Sequence, residues 1–206
     1  MLSLLLIAFP TLFAIVDPLA CIGPFLAMTN GQHQRDRTKI ALKAVTIATG
    51  ILFVCAFGGN SVFKFFGITL PALKLAGGLL LFVVAFEMLH AQKSRVKETP
   101  QESAEAAVRE DVATFPLAIP LLAGPGSIIS VFILIERAHS LVEIAAVYMS
   151  IVAVMASAFI ILYSAQHLGK YLGAIGINLL TRSMGLVLAA ISVQFIVDAI
   201  RQAFYK

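Results

Sequence analysis

Asp17 lies inside a run of apolar residues, followed directly by Pro18 and within seven positions by Cys21, Gly23 and Pro24. A charge at the centre of a membrane helix costs at least ~2.5 kcal/mol and ordinarily faces protein interior. Each helix-interior proline removes a backbone donor and clashes with the preceding turn, at ~3 kcal/mol or more. A second apolar run repeats the pattern with Pro116, Pro120, Gly124, Pro125, Gly126, Ser127 and Ser130. In hydrocarbon, such breaks free N–H and C=O groups that survive only inside protein or along a wet cavity.

The chemistry on offer has two signs. A half-helix that starts at a break presents amides and a partial positive charge, and one that ends there presents carbonyls and a partial negative charge. Ser127 is expected to cap the later half-helix, turning the amides of Ile128, Ile129 and Ser130 toward the gap. Gly23, Gly124 and Gly126 carry no side chain, so a ligand can approach the backbone, and its own side chain should be small. A small zwitterion suits both poles. Asp17 has three open roles: ligand for a substrate ammonium, proton carrier, or cap for a helix beginning at Pro18.

The elements that must hold these residues are membrane helices. Of 206 residues, 60% are hydrophobic and 13% charged, against ~25% charged in an ordinary soluble chain. A span needs ~20 mostly apolar residues, which predicts six spans at about 2–29, 39–60, 67–90, 112–136, 143–166 and 178–200. The fold class is therefore all-α and polytopic, with spans 1 and 4 broken near the midplane. No removable signal peptide is read at the start. Cys21 and Cys55 lack the number and spacing of a disulfide framework or metal site. The four histidines sit singly, so no metal and no cofactor is expected, and the net charge of +4 needs no nucleic acid.

Lys and Arg divide ten to five between the two sides. The excess marks the cytoplasm, which puts the long linker at about 91–111 inside and both termini in the periplasm. The halves also resemble one another. Spans 1 and 4 both open on Phe-Pro, and Lys74 and Gly77 precede Arg182 and Gly185 by 108 residues. One transmembrane domain of two copies, about 1–90 and 112–206, follows. Three spans per copy make the second copy enter from the opposite side: an inverted repeat, as in many secondary transporters.

Other positions are read more plainly. Lys74, Glu87 and Asp198 are expected to snorkel to the interface, although Lys74, Arg182 and Gln194 also stand as coupling or gating candidates. Arg182 is read as closing a cytoplasmic gate or meeting an acidic group of the first half, and Gln194 as bonding across helices. Ala41, Ala44, Ala48 and Cys55 in span 2, and Ser150, Ala153, Ser157 and Ser164 in span 5, form small-residue stripes for close packing.

Three stretches, "AIPLLAGPG" (118–126), "GITLPALKLAGGLLLFVVAFEML" (67–89) and "GINLLTRSMGLVLAAISVQFIVDAI" (176–200), resemble the MarC family of bacterial inner-membrane proteins. The likeness runs over essentially the whole chain. In span 1 the family commonly reads Asn/Asp-Pro-x-Gly-x-x-Pro-x-Phe; here Asp17, Pro18 and Phe25 match, while Ala20 replaces the glycine and Gly23 the proline. The family includes SnatA-type transporters of small neutral amino acids such as glycine and alanine. The resemblance therefore implies ion-coupled transport in the bacterial inner membrane, with Pro120, Gly124, Pro125 and Gly126 carried over from the span-4 motif. The coupling ion, proton or sodium, and a homo-oligomeric state are left open. A channel lined by the broken helices is the alternative; no catalytic constellation suggests an enzyme. Beyond substrate, the expected partner is membrane lipid.

Overall fold

The structure is a computed structural model that describes residues 2–90 and 112–204. The 91–111 linker, with the cytoplasmic placement read for it, lies outside the described residues. Eight helical elements follow in order: α1 (Leu2–Val16), α2 (Ile22–Met28), α3 (Gln34–Phe66), α4 (Leu70–Leu89), α5 (Ala113–Leu122), α6 (Pro125–Glu136), α7 (Leu141–Tyr163) and α8 (Ala165–Phe204). Among the described residues there is no strand.

Local chemistry sets the boundaries. Thr69 accepts from the amide of Ala72 and Pro71 sits in the first turn of α4, so that helix starts where its donors are otherwise unmet. Ser140 accepts from the amide of Glu143, whose carboxylate reaches back to the amide of His139. This reciprocal arrangement resembles a capping box at the head of α7. Gly67, at φ 66°, ends α3 in the left-handed region, which glycine enters without a Cβ penalty. Gly173, at φ 59°, splits α8 into a short leading piece and a long apolar helix.

Four helical stretches are long and apolar enough to cross a membrane singly: Gln34–Gly58, Leu70–Leu89, Leu141–Tyr163 and Ile175–Phe204. The pair α5 and α6, bent by 54°, makes a fifth. The segment read as span 1 consists of α1, of 15 residues, and α2, of 7. At ~1.5 Å per residue, neither alone reaches the ~30 Å of a hydrocarbon layer. Among the described residues four or five spans are thus long and apolar enough to cross, and the six-span reading holds only if α1 and α2 cross as a pair. Span 2 also needs correction. α3 continues to Phe66 straight through the "GGNSVFK" stretch read as a gap, because paired glycines lower helix propensity without interrupting the backbone hydrogen bonds.

Packing pairs elements from the two ends of the chain: α1 and α3 against α7, α3 against α5 and α4 against α8. α4 and α8 run antiparallel with glycines at two levels. A Cβ on Gly78 would lie 2.7 Å from Ile196 Cγ1 and 2.9 Å from the Ser192 carbonyl, and one on Gly185 would lie 3.0 Å from Met88 Cβ. The small-residue stripe of α3 is buried at Ala41, Ala44 and Ala48. In α7 the buried line is Ala146, Ser150, Val154 and Ala158. Ala153 is exposed and Ser157 half-buried, so the stripe read there was set at the wrong pitch: an i, i+4 row inclines with the helix and carries the buried face away from those positions.

Candidate functional site

The first interruption is built by Asp17. Its amide donates to the Phe13 carbonyl at 2.9 Å, finishing α1, and its φ of 48° turns the chain into the left-handed region. Aspartate enters that region more readily than most residues. Oδ1 then accepts from the amide of Ala20 at 3.4 Å, starting the turn that leads into α2. One residue therefore ends a helix with its backbone and begins the next turn with its side chain. Asp17, Pro18 and Cys21 are all buried. Pro24, by contrast, does not break anything: it is the third residue of α2, where a first-turn amide has no acceptor to lose.

The second interruption is longer. Phe115 and Ile119 are extended residues inside α5, each preceding a proline, Pro116 and Pro120, in a cis bond. The amide of Ala123 reaches back five residues to the Ala118 carbonyl at 2.9 Å. Gly124 then turns extended (φ −76°, ψ 170°) and is the cap of α6, with Pro125 in its first turn. The expectation for Ser127 is corrected here. Its hydroxyl donates backwards to the Leu122 carbonyl at 3.1 Å, and the amide of Ile128 is already bonded to the Gly124 carbonyl. The amides left without an intrahelical acceptor are those of Gly126 and Ser127, because Pro125 at the first position has none. Ser130, fully buried, donates to the Gly126 carbonyl at 2.8 Å.

The two interruptions meet. A Cβ on Gly126 would lie 3.4 Å from Cγ2 of Ile15, two residues before Asp17, and 2.7 Å from Cδ2 of Leu81 on α4. The carbonyl end of α1 and the amide end of α6 are thereby brought together, with opposite partial charges. The glycines themselves divide. Gly124 would drive a Cβ to 2.5 Å from the Pro120 carbonyl, and Gly126 is covered by Leu81 and Ile15, whereas Gly23 has nothing within 4 Å. At Gly124 and Gly126 the missing side chain serves close packing, not the open backbone approach expected of them. At Gly23 the space is open.

The outlying candidates fall differently. Lys74 is fully buried and its Nζ bonds Gln202 Oε1 at 2.8 Å, so it does not snorkel. Asp198 pairs with Arg137, and Gln194 donates to the same Asp198 at 2.7 Å within its own helix instead of across helices. Arg182 is exposed on α8, and no gate contact forms there among the described residues. Sequence reasoning missed the combination: Gln194, Asp198 and Gln202 repeat every four residues along α8, facing the basic residues at the ends of α4 and α6. Equal spacing on one helix edge, with Lys74 and Arg137 already assigned to one side, was the available signal. At the opposite end Gln34 Nε2 donates to the Tyr163 carbonyl, and Arg37 Nε to the carbonyl of buried Thr29. Among the described residues no cluster of metal-ligating side chains occurs.

An all-helical fold with several apolar helices, one of them sharply bent, defines an integral membrane protein. The family model described as "MarC family integral membrane protein" matches residues 2–204, and the chain belongs to that family. It is 38% identical over 192 residues to a UPF0056 membrane protein of Methanocaldococcus jannaschii, covering 93% of this chain and 84% of that one. The UPF0056 membrane protein YhcE of Escherichia coli is 35% identical over 193 residues, 94% of this chain and 90% of the relative. YvbG of Bacillus subtilis is 34% identical over 205 residues, 99% and 97% of the two chains. No solved structure matches the chain.

Proposed function

We propose that this protein is a secondary transporter of small neutral amino acids, of the glycine and alanine class, working by alternating access and coupled to a proton or sodium ion. The observation that carries the reading is the meeting of two interrupted helices at Gly126 and Ile15, beside the buried carboxyl of Asp17. A carbonyl pole, an amide pole and a carboxyl within one region match the two charged groups of an amino acid. The short, unbranched class is supported by the cover that Leu81 and Ile15 already give Gly126, which leaves no room there for a long side chain.

An inverted repeat of three spans per half is part of this proposal. Its support is the reciprocity of the α4–α8 contact: Gly78 meets Ser192 and Ile196, while Gly185 meets Ala85 and Met88, positions displaced by 107 or 108 residues. Paired positions that exchange roles in this manner are what a two-fold operation produces. The inner bacterial membrane, with both termini periplasmic, is the location that accords with the lysine and arginine bias.

Purified protein screened by thermal shift against the amino acids should be stabilised by glycine, alanine or serine, since a ligand of the folded state raises stability by mass action. In proteoliposomes the same amino acids should show saturable counterflow, and net uptake when an ion gradient is imposed. Flux without saturation or counterflow would assign a channel; no shift and no flux with any amino acid would remove the reading.

A further inference from the structure

The two ends of the bundle differ. At one end, α8 carries Gln194, Asp198 and Gln202 one turn apart, and each contributes to a polar contact: Gln194 and Arg137 on Asp198, Lys74 on Gln202. Lys74 is wholly buried there. At the other end, the position matching Lys74 in the second half is Arg182, 108 residues on, and it is exposed. Resting on the repeat proposed above, two residues in equivalent places thus occupy opposite environments, one sealed and one open. An inverted repeat that is strictly symmetric would expose both or bury both. A departure of this kind is how such a fold opens to one side at a time.

The contacts also say which part is able to move. α4 and α8 approach backbone to backbone at Gly78 and Gly185, and Lys74–Gln202 ties the same two helices, so they form one body. Arg137 ends α6, the half-helix whose start lies at the interruption and which meets α4 through side chains, Ile129 over Gly77 and Leu81 over Gly126. α6 is joined to α5 through Ala123 and Gly124, where the chain bends by 54° and the Ser127 hydroxyl reaches back to the Leu122 carbonyl. A half-helix on a two-residue joint, resting on its neighbours through side chains that can slide, tilts unless its far end is held.

We propose that the Arg137–Asp198 pair is a latch that closes one face of the transport site by holding the far end of α6 against the α4–α8 body, with Lys74–Gln202 and Gln194 fixing the position of Asp198. Release of the pair lets α6 tilt about Ala123–Gly124 and opens the interruption to that face. Arg137 and Asp198 act here as positioning residues, remote from the substrate itself.

Cys21, buried at the first interruption, reports access if Cys55 is replaced by serine. A membrane-impermeant maleimide is applied to right-side-out and to inverted vesicles carrying the protein. The latch predicts labelling of Cys21 from one vesicle type and little from the other. In Asp198→Asn and in Arg137→Gln, labelling from the previously closed side should rise several-fold, and the double exchange Arg137→Asp with Asp198→Arg should restore the asymmetry. Equal labelling from both sides in the starting protein, or single variants that leave the asymmetry unchanged, would overturn the latch. Amino-acid counterflow is measured on the same variants. A shift in labelling without counterflow in any form would keep the latch and remove the transport reading, so the two fail separately.

Discussion

Asp17 is the residue whose replacement separates architecture from transport most sharply. Its carboxyl has a structural duty, accepting from Ala20, and its backbone sits at φ 48°. Asparagine tolerates both: it accepts the same hydrogen bond and enters the left-handed region readily. Alanine tolerates neither. Losing a cap of this sort costs ~1 kcal/mol, and holding alanine in the left-handed region costs roughly 1–2 kcal/mol. Asp17→Ala should therefore lose about 2 kcal/mol, lowering Tm by roughly 4–8 °C in a chain of this length. Asp17→Asn should melt at or above the native temperature, because it also removes a charge from the interior. If the carboxyl takes part in substrate binding or coupling, counterflow in Asp17→Asn should nonetheless fall at least ~10-fold, equivalent to ~1.4 kcal/mol in the barrier. The assay pair is thermal unfolding and counterflow on the same preparations. An Asp17→Asn protein that folds and exchanges at the native rate would refute the reasoning, leaving Asp17 as a cap and nothing more.

Two further substitutions follow from the space around the glycines. Gly124→Ala, forced to 2.5 Å from the Pro120 carbonyl, should destabilise by about 1–3 kcal/mol, whereas Gly23→Ala, with nothing within 4 Å, should hold or raise Tm while slowing counterflow; unchanged counterflow would place the ligand away from Gly23. Along the α4–α8 contact, Gly78→Ala should cost more stability than Gly185→Ala, since its Cβ would meet a backbone carbonyl at 2.9 Å against 3.3 Å; unfolding temperatures in the reverse order would show that the interlock is misread.

The class of fold was legible because the solvent writes it into composition: apolar runs of span length and basic residues sorted between them. Both interruptions were also legible, since Asp17-Pro18 and Gly124-Pro125-Gly126 have few other uses inside oil. What escaped was how each break resolves locally. Ser127 has the residue type of a cap, but Gly124, one residue before the helix proline, already holds that place, and the serine proton goes to Leu122 instead. Gly124 and Gly126 invite a ligand on paper, and only tertiary contact reveals Pro120 and Leu81 standing in the way. Lys74 failed for a similar reason. Its distance from the helix start suggested an escape to the interface, while its actual partner, Gln202, is 128 residues distant, beyond any local pattern.

Thr29, Ser130, Ser150 and Ser192, all buried, each donate the hydroxyl proton to a carbonyl of their own helix. Such a bond travels with its helix. The hydroxyl therefore keeps its mate when its helix shifts against its neighbours. The interior thus holds polar side chains whose partners move with them.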